Sequence, residues 1–271
     1  MKTYKKVLTI AGSDSGGGAG IQADLKTISA LGCYGSTAIT AITVQNTKGV
    51  YGIHGIPPET VYEQISAVLK DIGTDAIKIG MLHSAEIIKA VVNALKESGS
   101  RKIVLDPVMV AASGDKLIED NTIEVLTGEL FPLVDVITPN LSEAEILLGK
   151  PLKNRHEMEE NIKLLLEYGN KGVLLKGGHL ESDSLSDIFM QKGDKEPVVI
   201  TNKKIETKNI HGSGCTLSSA IASYMAHGLE IKAAVTKGVE YVHQAILYGK
   251  DYKTGAGSGP LNHFFQPEKL T

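Results

Sequence analysis

Short apolar runs alternate with longer amphipathic stretches along most of this chain, and this alternation is the strongest constraint on its fold. Residues 7–11, 76–79 and 102–105 have the length and apolar content of buried strands. Residues 21–31 and 85–96 carry apolar side chains at the helical period. A strand–helix–strand order of this kind favours a mainly parallel sheet with helices on both faces. The chain is therefore predicted to have an α/β fold.

The composition narrows the class of protein further. The 271 residues are 42% hydrophobic, and no linker or repeat interrupts them, so a single domain over residues 1–271 is predicted. The net charge is −3 with both signs interspersed, which argues against nucleic-acid binding, and no apolar run is long enough to cross a membrane. The two cysteines, Cys33 and Cys215, form neither a disulfide framework nor a zinc spacing. A cytoplasmic protein is expected.

The segment from His211 to Thr216, with the letters HGSGCT, opens an apolar helical run over residues 217–225. Small residues let backbone N–H groups surround a ligand, and the helix dipole adds positive charge at the same place. Together these features predict an anion site. A Cys215 thiolate would be stabilised there and would act as a base or nucleophile. The alternative is a small-residue helix start with a buried cysteine.

A second small-residue segment follows the first predicted strand and covers residues 12–20, with the letters GSDSGGGAG. Ligands of open α/β sheets bind beyond the carboxyl ends of the strands, so this segment is a candidate binding loop. Glycine there either serves a phosphate or lets a flat ring lie against the backbone. The segment lacks the Gly-Lys-Ser/Thr of a P-loop, and its spacing does not match a dinucleotide fingerprint.

Three further polar clusters follow predicted strands. Asp106 ends one strand, and Asn140 and Glu143 stand three residues apart after the next. These oxygen ligands suit Mg²⁺, held through water, although a turn aspartate and a capping box are the plain alternatives. Lys176, beside two glycines and His179, suits a phosphate. In combination, the clusters describe a phosphoryl-transfer site with backbone donors, one lysine, Mg²⁺ and a base.

Seven stretches that carry these motifs resemble the hydroxymethylpyrimidine/phosphomethylpyrimidine kinases of thiamine biosynthesis, within the ribokinase-like superfamily. The stretches are residues 11–27, 41–50, 76–82, 104–110, 137–145, 173–180 and 207–218. The resemblance implies a three-layer α/β/α ribokinase-like fold with a mainly parallel central sheet. It also implies transfer of the ATP γ-phosphoryl group to a pyrimidine hydroxymethyl oxygen, and then a second transfer that yields the pyrophosphate. A homodimer is expected because the family often forms one.

The resemblance also assigns residues to the two substrates. Gln45 would pair with the ring nitrogen and the amino group of the pyrimidine, since a side-chain amide offers one donor and one acceptor. Gly12, Ala19 and Asp24 would border the ring, and Met81 and Val108 would form an apolar wall. Lys176 would contact the transferring phosphate, and His211, Gly212, Ser213 and Gly214 would form the anion hole. Cys215 would be the base at a position where most of the superfamily has aspartate.

Two departures from the family pattern are visible. The first loop reads Asp14-Ser15-Gly16-Gly17-Gly18 instead of Asp-Pro-Ser-Gly-Gly, which loosens the turn. The later segment reads Ala111-Ala112-Ser113-Gly114-Asp115 instead of Ala-Lys-Ser-Gly-Asp, so a lysine that would help the second phosphorylation is missing.

Two other functions remain open. A pyridoxal/pyridoxine kinase shares the scaffold, and some members carry a second cysteine where this chain has Ala111, which favours the pyrimidine. A non-catalytic sensor would be expected to lose Cys215, Lys176 or the pair Asn140 and Glu143, and all of these are present.

Overall fold

A computed structural model describes residues 2–99, 102–109, 120–178 and 184–270, and within them the apolar runs form one continuous nine-stranded sheet. The strands are β1 (Lys6–Asp14), β2 (Tyr34–Asn46), β3 (Gly49–Gly55), β4 (Ala76–Ile79), β5 (Lys102–Leu105), β6 (Val136–Ile137), β7 (Gly172–Leu175), β8 (Ser184–Gln191) and β9 (Val198–Lys203).

The amphipathic stretches form the helices that cover this sheet. They are α1 (Gly20–Ala30), α2 (Pro58–Asp71), α3 (Ala85–Ser98), α4 (Asp120–Val125), α5 (Leu141–Leu148), α6 (Arg155–Leu165), α7 (Ser213–Ala226) and α8 (Ile231–Gly249). A π-helical turn over Leu126–Leu130 and a 3₁₀ turn over Phe131–Leu133 extend α4 towards β6. Among the helices in the described part of the chain, none is both long and apolar enough to cross a membrane.

The strand order is β3-β2-β1-β4-β5-β6-β7-β8-β9. The six strands from β2 through β1 and β4 to β7 pair in parallel, and the hairpins β2–β3, β7–β8 and β8–β9 are antiparallel. The chain passes from β1 to β2 on one side and later to β4 on the other. The carboxyl end of β1 is therefore the topological switch point, where open α/β sheets bind ligands.

Apolar side chains pack on both faces of the sheet. One core includes Ile65 of α2, Val91 of α3 and Ile162 of α6, and the other includes Ile221 of α7 and Val239 of α8. Helix α1 packs beside α7 on the second face. Both faces are covered, as the apolar strands require. The prediction of a three-layer α/β/α fold with a mainly parallel sheet is confirmed.

The boundaries differ from the sequence predictions mainly at element ends. Strand β6 is only two residues long, Val136–Ile137, because the Val134 N–H bonds back to the Phe131 carbonyl and closes the preceding turn. Helix α7 begins at Ser213, two residues before Cys215, because Gly212 adopts the left-handed conformation that starts it. Cys215 thus lies inside the first helical turn.

Candidate active site

Two loops meet at the switch point: the glycine loop (residues 12–20), which follows β1 into α1, and the anion loop (residues 211–215), which starts α7. Gly212 has a φ of +83°, which L-residues with a side chain rarely adopt. A Cβ at this position would also run into the carbonyl oxygen of Gly18. Glycine permits the close approach of the two backbones. The loops therefore face each other across one cleft.

The glycine loop is built around the carboxylate of Asp14. Oδ1 accepts the N–H of Gly16 at 2.7 Å, and Oδ2 accepts those of Gly18 and Ala19 at 3.1 and 2.8 Å. Burial opposes ionisation of this group, but the bonds from His211 and from the loop backbone outweigh it and lower the pKa of Asp14. Because Asp14 already occupies these donors, they are not available to a phosphate. Of the two roles expected for the loop, the structure favours a surface for a flat ring.

The anion loop keeps free donors. Within the described residues, the N–H groups of Gly212, Gly214 and Cys215 meet no acceptor. The N–H groups of His211 and Ser213 are already bonded to carbonyl oxygens at 3.0 and 3.1 Å. Free N–H groups at a helix start, together with the helix dipole, attract an anion. The anion hole was predicted at residues 211–214. The backbone donors left free for it are those of Gly212, Gly214 and Cys215.

Cys215 lies half-buried in the first turn of α7. Burial raises the pKa of the Cys215 thiol to about 11, with Asp24 and Asp106 adding to the rise and Lys78 opposing it. We expected a stabilised thiolate, and this expectation is wrong. Desolvation outweighs the effects of Lys78 and of the nearby backbone that favour the thiolate, so at neutral pH the group is a thiol.

A fully buried ion pair joins four elements beside Cys215. Lys78 Nζ of β4 lies 2.8 Å from Asp24 Oδ2 of α1, and neither side chain is exposed. Thr9 of β1 donates to Oδ2 at 2.6 Å, and Ser219 of α7 donates to Oδ1 at 2.7 Å. Burial alone would lower the pKa of Lys78, but Asp24 raises it above its ordinary value, so the lysine stays charged. Breaking such a pair by removing one partner costs about 3–5 kcal/mol.

A second ion pair lies at the anion loop. Lys176 Nζ is 2.8 Å from Asp106 Oδ1, which also accepts the hydroxyl of Thr138 at 3.2 Å. Burial opposes the charge of Lys176, but Asp106 and Glu143 outweigh it and raise the pKa of this lysine. A Cβ on Gly214 would lie 3.0 Å from Asp106 Oδ2 and 3.4 Å from Lys176 Nζ. The pair therefore stands directly beside the free backbone donors.

Asn140 and Glu143 form the capping box that was the plain alternative for them. The Glu143 N–H donates to Asn140 Oδ1 at 2.9 Å, and the Asn140 N–H donates to Glu143 Oε2 at 2.7 Å. Burial raises the pKa of Glu143 to about 7; Lys176 lowers it and Asp106 raises it. In the part of the chain that the structure describes, no three His, Cys, Asp or Glu side chains are grouped as a metal site.

The side of the cleft at the glycine loop carries the residues expected at the ring. Gln45, at the end of β2, places its amide 3.3 Å from His211 Nε2. Met81 lies against Gly12, where a Cβ would be only 2.9 Å from the methionine methyl group. Val108 is half-buried two residues beyond Asp106. These side chains give one polar edge and apolar neighbours, as a flat heterocycle requires.

Two expected roles change with the structure. Asp24 does not border the cleft, because its carboxylate is fully buried and is bonded to Lys78, Thr9 and Ser219. The His211 ring is turned towards the glycine loop, where its Nε2 lies 2.9 Å from Oδ2 of Asp14. Sequence reasoning missed Lys78, although a lysine within an apolar four-residue strand was a visible signal. His179 and residues 110–115 lie outside the described residues.

This site, on a three-layer α/β/α fold, is that of a small-molecule kinase. Residues 14–262 match the family model described as phosphomethylpyrimidine kinase, and the chain belongs to that family. The Rhizobium meliloti protein named hydroxymethylpyrimidine/phosphomethylpyrimidine kinase is 46% identical over 95% of this chain and 96% of its own length. The chain also spans 53% of the thiamine biosynthesis bifunctional protein ThiED of Geobacter sulfurreducens, at 47% identity.

Solved structures agree with this assignment. The crystal structure of phosphomethylpyrimidine kinase from Clostridium difficile 630 has a TM-score of 0.78 at 45% identity, and covers 89% of this chain and 99% of its own. An ADP complex of Bacillus subtilis pyridoxal kinase has a TM-score of 0.89 at 35% identity, with 96% and 98% covered. Phosphomethylpyrimidine kinases and pyridoxal kinases thus share this fold, so the fold alone does not distinguish their substrates.

Proposed function

We propose that this protein is an ATP-dependent kinase of thiamine biosynthesis. It phosphorylates 4-amino-5-hydroxymethyl-2-methylpyrimidine and then converts the monophosphate to the pyrophosphate. The observation that carries the proposal is the 46% identity to a hydroxymethylpyrimidine/phosphomethylpyrimidine kinase over nearly the full length of both chains. The convergence of Cys215, Lys176 and Gln45 on one cleft supports it.

On the acceptor side, the pyrimidine ring is proposed to lie against the glycine loop, between Gly12, Ala19, Met81 and Val108. Gln45 pairs with the edge of the ring that bears the amino group. In its thiolate form, Cys215 Sγ takes the proton of the hydroxymethyl group as the oxygen attacks, and it becomes the thiol. Phosphoryl transfer has a loose transition state, so catalysis depends mainly on positioning and charge stabilisation.

On the donor side, the free N–H groups of Gly212, Gly214 and Cys215 are proposed to stabilise the charge on the transferring phosphoryl group. Lys176 adds a positive charge beside them. Mg²⁺ would be held through water by Asp106 and Glu143, where carboxylate oxygens suit this hard cation; Asn140 supports Glu143 through the capping box. When bound, it would neutralise phosphate charge. Asp106 Oδ2 accepts no hydrogen bond within the described residues and is the oxygen best placed for this role.

The second candidate is a pyridoxal/pyridoxine kinase of vitamin B6 salvage. The TM-score of 0.89 to a pyridoxal kinase favours it specifically, because the same backbone accepts either ring. The higher identity to pyrimidine kinases and Ala111 in place of a second thiol favour the first candidate.

An assay that resolves monophosphate from pyrophosphate tests the function directly. With purified protein and magnesium-ATP, the aminopyrimidine alcohol is expected to give both products, with the second step slower because Ala112 replaces the family lysine. At equal concentration, pyridoxal is expected to react more slowly. Consumption of ATP with pyridoxal but not with the pyrimidine would transfer the assignment to the second candidate, and turnover of neither would refute both.

A homodimer is proposed from the hairpin of β2 and β3. Its side chains Ile42, Val44, Val50, Tyr51 and Ile53 are apolar and all at least 46% exposed. Within the described residues, β3 is also an edge strand with one side of its backbone unpaired. The strand register places Ile42 and Val44 on one face of the hairpin and Tyr51 and Ile53 on the other. Exposed apolar side chains on both faces of an open sheet edge are typical of an interface.

The single domain and the cytoplasmic location stay proposals, which the continuous sheet and the two free cysteines support.

Light scattering tests the dimer. The wild-type protein is expected at twice the chain mass of 28.8 kDa, and the variant Val44→Lys/Tyr51→Lys is expected as a monomer, because charges on both faces of the hairpin cannot be buried in an interface. Tyr4→Lys is the matched control, since Tyr4 is also more than half exposed but precedes β1, which pairs with the far end of β2. A monomeric wild type, or a dimeric double variant, would contradict the proposal.

A further inference from the structure

The acceptor-side glutamine is held at both ends of its amide. The structure sets the amide nitrogen 3.3 Å from Nε2 of His211, and the same histidine nitrogen lies 2.9 Å from Oδ2 of Asp14. It sets the amide oxygen 3.1 Å from the hydroxyl of Thr43, and that hydroxyl also lies 3.0 Å from the carbonyl oxygen of Ser13. Gln45 is therefore the middle member of a short polar chain that runs from Asp14 and His211 to Thr43 and Ser13.

Counting hydrogens fixes the direction of this chain. Asp14 is an ionised acceptor, because it already receives three backbone N–H groups and its pKa is lowered. His211 Nε2 must then carry the proton and donate it to Asp14. A nitrogen that donates cannot also accept from the NH₂ group of Gln45. The Gln45 amide is therefore turned end for end from the orientation set in the structure, so that its oxygen faces His211; the two amide atoms have nearly the same shape, and the turn moves no other atom.

Thr43 is consistent with the turned amide. Its hydroxyl has one hydrogen, and the Ser13 carbonyl can only accept. With the nitrogen of Gln45 towards Thr43, the hydroxyl donates to Ser13 and accepts from the amide, and no two donors face each other. At His211 the amide oxygen then shares the Nε2 hydrogen with Asp14. The hydrogen count therefore favours one orientation, with Oε1 at His211 and Nε2 at Thr43.

We propose that Asp14 and His211 are positioning residues that lock the Gln45 amide in this orientation and thereby select an aminopyrimidine over a pyridine aldehyde. The inference rests on the proposed function, in which Gln45 reads the ring edge. His211 then serves the acceptor substrate rather than the nucleotide.

The aminopyrimidine and pyridoxal require opposite orientations of the Gln45 amide. Beside its hydroxymethyl group, the aminopyrimidine presents an amino donor and then a ring-nitrogen acceptor. Pyridoxal presents an aldehyde oxygen and then a phenolic hydroxyl at the same two places. An amide that offers its oxygen to the amino group and its N–H to the ring nitrogen matches the first ring. The same amide sets its oxygen against the aldehyde oxygen, and only a reversed amide would match pyridoxal. A glutamine held in this orientation therefore disfavours the binding of pyridoxal.

The test is the ratio of kcat/KM for the aminopyrimidine alcohol to kcat/KM for pyridoxal. His211→Leu removes the donor and frees the amide to rotate, so the ratio is expected to fall by about tenfold or more, as sites that hydrogen-bond a substrate discriminate strongly. His211→Gln keeps an N–H donor at a similar reach and is expected to preserve the ratio within about threefold on the same grounds. Thr43→Val frees the other end of the amide and is expected to lower the ratio as well.

Folding is checked by the Tm of each variant, and Thr43→Val carries the test if His211→Leu does not fold. An equal loss of kcat/KM for both rings, or an unchanged ratio in both variants, would overturn the lock, as would a fall in His211→Gln as large as that in His211→Leu. The wild-type ratio separates this outcome from a failure of the proposed function: a wild type that prefers pyridoxal refutes the function itself.

Discussion

Replacing Cys215 by alanine is expected to lower kcat by about 10²–10⁴-fold, the usual contribution of a general base. Nucleotide binding is expected to survive, because the anion loop binds through backbone N–H groups that the substitution leaves in place. Steady-state kinetics and calorimetric titration with a non-hydrolysable ATP analogue measure the two effects separately. Cys33→Ala is the matched control, since Cys33 is buried beside His227, at the other end of α7. Unchanged kcat in Cys215→Ala would remove sulfur from the mechanism.

The change of kcat with pH is expected to have one direction if Cys215 is the base. A base with a pKa of about 11 is protonated at neutral pH, and its active thiolate fraction rises tenfold with each pH unit until the pKa is reached. In the wild-type enzyme, kcat is therefore expected to rise with pH over the range in which the protein stays folded. Cys215→Asp supplies a carboxylate that is ionised at neutral pH, so this variant is expected to be active with a flatter profile. A wild-type profile that is flat from pH 7 to 9 would contradict a thiolate base.

Gly212→Ala is expected to reduce kcat by at least about 10²-fold, the effect of losing one preorganised backbone donor. The left-handed φ of +83° costs an alanine about 1–2 kcal/mol, and its Cβ would meet the carbonyl of Gly18. The backbone has to turn away, which moves the free N–H groups out of line. The measurement is kcat together with Tm.

The control variant Gly228→Ala tests whether backbone strain alone, away from the anion loop, lowers kcat. Gly228 has a φ of +95°, and a Cβ there meets nothing within 4 Å. This control is expected to lose stability by a similar backbone term while keeping kcat. If Gly212→Ala kept full kcat, the anion loop would not be the place where phosphoryl charge is stabilised.

The general fold and the convergence of the motifs follow from the sequence. Parallel strands end at one edge of a sheet, so Asp106 and Lys176, which both follow apolar runs, were expected to meet there, and they lie 2.8 Å apart. The helix start at residues 212–215 could be read because glycine and the apolar helical run are local signals. These inferences needed only chain order and strand direction.

Other parts of the site depend on contacts that no local pattern contains. Asp24 was expected at the ring, but its partner Lys78 is 54 residues away and approaches it only through packing of α1 on the sheet. The thiol of Cys215 was expected to ionise easily because the helix dipole is visible in the sequence. Its desolvation is a property of the whole fold, and it outweighs the neighbouring groups that favour the thiolate. The direction of the His211 ring likewise depends on Asp14, 197 positions earlier.

The carboxylate at the centre of the glycine loop has a practical consequence for inhibitor chemistry. The Asp14 carboxylate already accepts the N–H groups of the glycine loop. A phosphonate or sulfonate placed against this loop would therefore meet a negative charge instead of open N–H donors. An inhibitor of this enzyme should place an uncharged planar heterocycle against the glycine loop. Its acidic group should lie at the opposite end of the molecule, towards the start of α7. Potency and selectivity would then come from different halves of the molecule.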